Sequence, residues 1–190
     1  MTSGYVDERV FQGLLGCLTE DNALCLRIMN VTGMRISDVL AMRWENVRYE
    51  KTATEYPYTY TEQKTKKKRT VFFSVKLGAE LRDRRAFMHW WTDWVFPGRD
   101  PKKHRTRQAV WKDLSRAAKT YRVNHKRIRA HISTHTARKI YAVKLYRREC
   151  ELGHTEPLEA VRMDLNHKDR AVTYLYALAD VITARNEARI

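Results

Sequence analysis

The stretch Ser133-Thr134-His135-Thr136-Ala137-Arg138-Lys139, continued by Leu165-Asn166-His167-Lys168-Asp169-Arg170-Ala171-Val172-Thr173-Tyr174-Leu175-Tyr176, decides the reading of this chain. It holds a His-x-x-Arg pair, His135 and Arg138, then a second histidine, His167, with Tyr176 nine residues further on. The spacing of apolar residues predicts helices over 134–150, 157–165 and from 169 through the C-terminus. Two imidazoles, a guanidinium and a phenol are the side chains that can hold and attack a phosphodiester. Each also has a plainer use, since Tyr176 is one of 10 tyrosines and a helical histidine is usually a cap or a packed side chain. Their order along the chain is what carries the functional reading.

The composition supports a polyanionic partner. The 190 residues carry a net charge of +15, which favours nucleic acid first and an anionic membrane second. A hydrophobic content of 43% suffices for a real core in a single domain. No apolar run approaches the roughly 20 residues of a membrane span. The N-terminus, Met1-Thr-Ser-Gly-Tyr-Val-Asp-Glu, has no basic and apolar signal-peptide regions. An intracellular, cytoplasmic protein is expected. Cys17, Cys25 and Cys150 are odd in number and lack a C-x-x-C, so they read as reduced thiols.

Upstream, 7–18 reads as an amphipathic helix. Thr19 is placed to cap a second one that carries Leu24, Ile28 and Val31 on one stripe and Leu26 and Met29 off it. Thr32-Gly33 breaks that helix, and Arg35 opens a short third one through Ile36, Val39 and Leu40. Tyr56, Tyr58 and Tyr60 then alternate with period two, and Val71–Val75 is a second β-prone run. Between them lies Gln63-Lys64-Thr65-Lys66-Lys67-Lys68-Arg69, in which five of the six residues 64–69 are basic. A β-hairpin with a phosphate-contacting tip is predicted. Helices follow over 76–92 and 106–121. The aromatic run from Trp90 to Phe96 reads as core. Two further basic segments, 99–107 and 122–131, complete a cationic face. The DNA-binding candidates are Lys66, Lys67, Lys68, Arg69, Lys102, Lys103, Arg105, Arg107, Lys126, Arg127 and Arg129. The fold class is mainly α with a small antiparallel β-sheet.

Metal-free cleavage of a phosphodiester needs a nucleophile, donors to the non-bridging oxygens, a base and an acid. Tyr176 can serve as nucleophile, Arg35 and Arg138 can supply the clamp, and His135 and His167 can bond the phosphate. His135 can also take the phenol proton, and Lys64 can protonate the leaving oxygen. No Walker loop, D-x-D, acidic triad or H-E-x-x-H is present, so no metal or cofactor is expected.

These residues, in this order, resemble the tyrosine recombinases of the phage integrase family. Thr32-Gly33-Met34-Arg35-Ile36-Ser37-Asp38-Val39-Leu40 resembles the family's first arginine box, and Gln63-Lys64-Thr65 its catalytic lysine. His135-Thr-Ala-Arg138 resembles its H-x-x-R box, and Leu165-Asn166-His167 with Tyr176 its L-G-H…Y ending. The resemblance implies the family's catalytic-domain fold with a three-stranded sheet over 1–180. It also implies a 181–190 tail exchanged between protomers, a homotetramer on paired sites of double-stranded DNA, and a 3′-phosphotyrosyl intermediate. Asp38 would support the site. A DNA-binding regulator without turnover, a type IB topoisomerase and a telomere resolvase are the alternatives. Three departures stand out: Asn166 replaces glycine, Lys139 stands where a second histidine is common, and no separate N-terminal core-binding domain is expected. His154, in Leu152-Gly153-His154, is a decoy for the later box. Tyr174 is the rival nucleophile, but two helical positions differ by about 200°, so only one of the pair can face the site, and the family's spacing selects Tyr176.

Overall fold

A computed structural model describes residues 3–47 and 54–187. The chain forms two compact units, one from residues 1–34 and 110–190 and the other from 35–109.

The first unit is helical. α1 (Glu8–Leu15) starts where the Asp7 carboxylate accepts from the Val10 amide at 2.9 Å, and it stops at Gly16, earlier than the periodicity predicts. α2 (Glu20–Thr32) is the buried helix of this unit: Leu24, Cys25, Leu26, Ile28 and Met29 are all at most 1% exposed. Two expectations fail here. The Thr19 hydroxyl does not cap α2; it donates to Asp113 on α5 (Arg107–Thr120), as do the Thr19 amide and Asn22. Val31 is 45% exposed although it stands only about 20° around the helix from buried Leu24, so the stripe is covered along only part of its length. Gly33 ends α2 with φ +64, and a Cβ there would lie 2.5 Å from the Tyr141 ring. Only glycine satisfies both the left-handed backbone and that close approach.

β3 (Arg122–Val123) and β4 (Lys126–Arg127) pair antiparallel around Asn124 and His125. Both turn residues have positive φ, the type I′ signature of a two-residue hairpin. α6 (Thr134–Glu151) packs against α2, α7 (Pro157–Asp164) and α8 (Arg170–Ala177). Ala142, Val161, Leu165 and Ala177 form the shared core, with Tyr141, Leu158 and Tyr176 packed on its edge. The last predicted helix is two. α8 ends at Leu178, and α9 (Ala179–Glu187) follows. Ala177 and Ala179 are both 1% exposed, and the break permits this; a continuous helix would turn two such positions about 200° apart.

The second unit opens with α3 (Ile36–Leu40) and a 3-10 turn at Trp44–Asn46. β1 (Glu55–Thr61) and β2 (Lys68–Ser74) pair antiparallel from Glu55 opposite Ser74 to Thr61 opposite Lys68. The period-two reading holds: Tyr56, Tyr58, Val71 and Phe73 are buried on one face, and Thr59 and Thr70 share a 2.8 Å hydrogen bond on the other. Among the described residues this sheet has two strands, not three; 48–53 lie outside them. Ser74 caps α4 (Val75–Met88) by accepting from the Leu77 amide. The aromatic run that follows divides. Val95 and Phe96 are fully buried, but Trp90 is 76% exposed and Trp91 40%, since the helix has ended and the turn points them outward.

Candidate functional site

The first unit assembles the later boxes. Ser133 and Thr136 form a capping box at the start of α6, which sets His135 in the first turn. Tyr176 lies in the last turn of α8, and its hydroxyl is 3.0 Å from His135 Nδ1. Tyr174 is 47% exposed and lies off this face, as the helical angle requires.

His167 is positioned by its backbone. The amide of Asn166 donates to the Met163 carbonyl and that of His167 to the Arg162 carbonyl, closing a Schellman motif at the end of α7. Asn166 holds the left-handed position with φ +52, which explains both the family's glycine here and the tolerance of asparagine. Arg162 also donates to the His167 carbonyl, so His167 is held at its N–H and its C=O by the same residue. The His167 ring lies edge-on to Tyr176, with centroids 5.0 Å apart, and its Nδ1 is 3.2 Å from the buried Thr173 hydroxyl. That hydroxyl donates to the Asp169 carbonyl, so it accepts from His167, which places the ring proton on Nδ1.

Arg138 is 2% exposed and spans two helix ends. Its Nη1 donates to the Gly33 carbonyl at the end of α2, and its Nη2 to the Leu165 carbonyl at the end of α7 at 2.6 Å. Lys139, one turn after His135, lies with Nζ 5.6 Å from the Tyr176 ring centroid and donates to the Ser3 carbonyl at 2.6 Å. Burial lowers its pKa from the ordinary lysine value.

The second unit assembles the earlier boxes. Arg35 occupies the N-cap position of α3, and its Nη1 meets Glu62 Oε1 at 2.8 Å. Asp38 is buried and accepts from the Gln63 amide at 2.9 Å. Lys64 is exposed in the 62–67 turn that joins β1 to β2. The sequence reading missed Glu62, which is fully buried and receives Arg35 and the Thr65 hydroxyl. It also missed Thr173, which looks in sequence like any helical threonine. A lone acid beside five basic residues was the available signal for Glu62.

The basic candidates lie on the surface. Lys66, Lys67, Lys68, Lys102, Lys103 and Arg107 are exposed in the second unit, with Arg69 and Arg105 partly covered. Lys126, Arg127 and Arg129 are exposed in the first, on and after the β3–β4 hairpin. His154 pairs with Glu149 on its own helix end, away from Tyr176. Among the described residues no helix is long and apolar enough to cross a membrane.

The phage integrase family model matches residues 7–181. No curated protein sequence matches the chain. Among solved structures, the fold resembles XerH site-specific recombinase in a post-cleavage complex with its palindromic difH substrate, at 17% identity and TM-score 0.70, covering 100% of this chain and 54% of that one. A lambda integrase dimer bound to a COC′ core site matches at 14% identity and TM-score 0.64, covering 92% and 47%. The catalytic domain of bacteriophage HP1 integrase matches at 19% identity and TM-score 0.54, covering 94% and 89%. The chain thus spans about half the length of the XerH and lambda integrase chains it matches.

Proposed function

The chain belongs to the phage integrase family, and on that premise we propose that it breaks and rejoins double-stranded DNA at specific sites through a covalent bond to Tyr176. The observation that carries this reading is the Tyr176 hydroxyl 3.0 Å from His135 Nδ1 with the His167 ring alongside. A phenol is a weak nucleophile near neutral pH, with an ordinary pKa of about 10, and a hydrogen-bonded imidazole can take its proton.

The phenolic oxygen attacks phosphorus as His135 accepts its proton. The bond to the 5′-oxygen breaks, and Lys64 supplies the proton that makes a 5′-hydroxyl. Arg138, Arg35 and the Nε2–H of a doubly protonated His167, whose Nδ1–H stays on Thr173, donate to the non-bridging oxygens, whose charge grows in the transition state. Asp38 holds the lysine-bearing turn through the Gln63 amide. Attack by a 5′-hydroxyl of a partner strand reverses the step and restores the phosphodiester, so no external energy source enters. The exposed basic segments grip the DNA backbone, and binding weakens with salt. Four protomers on paired sites exchanging the 181–190 tail would complete the recombining assembly.

The test is a nicked suicide duplex carrying candidate target DNA. A covalent adduct that survives denaturing electrophoresis, maps to Tyr176 and vanishes in Tyr176→Phe supports the reading. An adduct that persists in that variant refutes the assignment, and duplex binding with no adduct in the unaltered chain points to a regulator.

A further inference from the structure

Glu62 is out of place in a chain that reads as a DNA-gripping surface. It lies at the root of the most basic turn in the molecule, and its side chain is 0% exposed. A carboxylate withdrawn from water is retained only against a cation and hydrogen-bond donors. Glu62 has both. One oxygen meets Arg35 Nη1 at 2.8 Å, and the other accepts from the Thr65 hydroxyl at 2.5 Å. Its backbone closes the same turn: its amide donates to the Lys67 carbonyl at 2.9 Å, and its carbonyl accepts from the Lys66 amide at 2.9 Å. The turn is tied to α3 a second time, where Gln63 donates through its amide to Asp38 and through Nε2 to the Ser37 carbonyl at 3.2 Å.

We propose that Glu62 is a positioning residue that sets the Arg35 guanidinium and the Lys64-bearing turn in one fixed relation. Resting on the strand-transfer reading above, it gives Glu62 no contact with DNA. Arginine has five N–H donors, so one contact to Glu62 aims the guanidinium without using up its fork. The same carboxylate braces Thr65, the neighbour of Lys64. A clamp and an acid on separate segments would otherwise drift independently, and small displacements of reacting groups cost rate steeply. The rival idea is that Glu62 occupies the guanidinium and competes with a phosphate for it. The two ideas predict opposite signs.

The experiment uses the full chain with Glu62→Gln, which keeps the shape and removes the charge. Single-turnover adduct formation is measured at saturating nicked duplex, alongside the duplex concentration at half-saturation. Positioning predicts a rate lower by about 10- to 100-fold with half-saturation nearly unchanged. It also predicts that Glu62→Gln costs much less when Arg35→Lys is already present, because the effect passes through Arg35. An unchanged or faster rate overturns the proposal, and so does an equal loss in both backgrounds. Amide exchange without DNA separates failure of this proposal from failure of the strand-transfer reading. Faster exchange at Gln63 and Lys66 in Glu62→Gln supports positioning even if the unaltered chain forms no adduct; unchanged exchange overturns it.

Discussion

Leu152-Gly153-His154 and Leu165-Asn166-His167 are nearly the same tripeptide in nearly the same local structure. Each ends a helix, and each puts its middle residue at positive φ, +72 and +52. In each the histidine amide reaches back to the helix, to Glu149 in one case and Arg162 in the other. By local sequence the first is the better match to the family's L-G-H box. The surroundings separate them. Leu152 is 58% exposed and Leu165 fully buried. His154 bonds to Glu149 of its own helix, whereas His167 meets Thr173 and the edge of Tyr176 from the next helix. The motif aims a histidine off a helix end, and packing decides whether anything lies there to be met.

The largest way to test that contrast is truncation of the two leucines. Leu165→Ala should cost about 2–5 kcal/mol of stability, and Leu152→Ala no more than about 0.5 kcal/mol, read as urea midpoints. Next come the histidines. His167→Gln should slow adduct formation on the suicide duplex by about 10²-fold, roughly 2.7 kcal/mol, while His154→Gln leaves the rate unchanged. Equal effects would erase the distinction. Gly153→Ala should cost roughly 1–2 kcal/mol, all of it backbone strain, since a Cβ there meets nothing within 4 Å. The smallest change is Asn166→Gly. It relieves the left-handed strain but frees the unfolded chain, so thermal unfolding should shift by no more than about 0.5 kcal/mol.

The same contrast marks what the sequence could reveal. The helices bearing His135 and Tyr176 were legible because apolar spacing acts locally. The β1–β2 hairpin was legible from tyrosines alternating at period two. Trp90 and Trp91 were misread because their type predicts burial while the end of α4 turns them out. The break at Leu178 carries no proline or glycine, and with it Ala177 and Ala179 are both buried. Helical angle lets only one of Tyr174 and Tyr176 face the site and the family's spacing picks Tyr176, but its contact with His135 spans 41 residues and required the packing of α6 against α8. For a related reason Glu62 shows in the sequence only as a lone acid beside basic residues, since its meaning depends on Arg35.

Arg138 touches the C-terminal carbonyls of two helices. The end of a helix carries about half a negative charge, summed from its aligned peptide dipoles. The guanidinium therefore sits against close to one full compensating charge made of backbone alone. Its counterion at these contacts is thus set by where α2 and α7 stop, at Gly33 and Leu165. Adding or removing a turn at either end would change the electrostatics of Arg138 without altering a single charged residue.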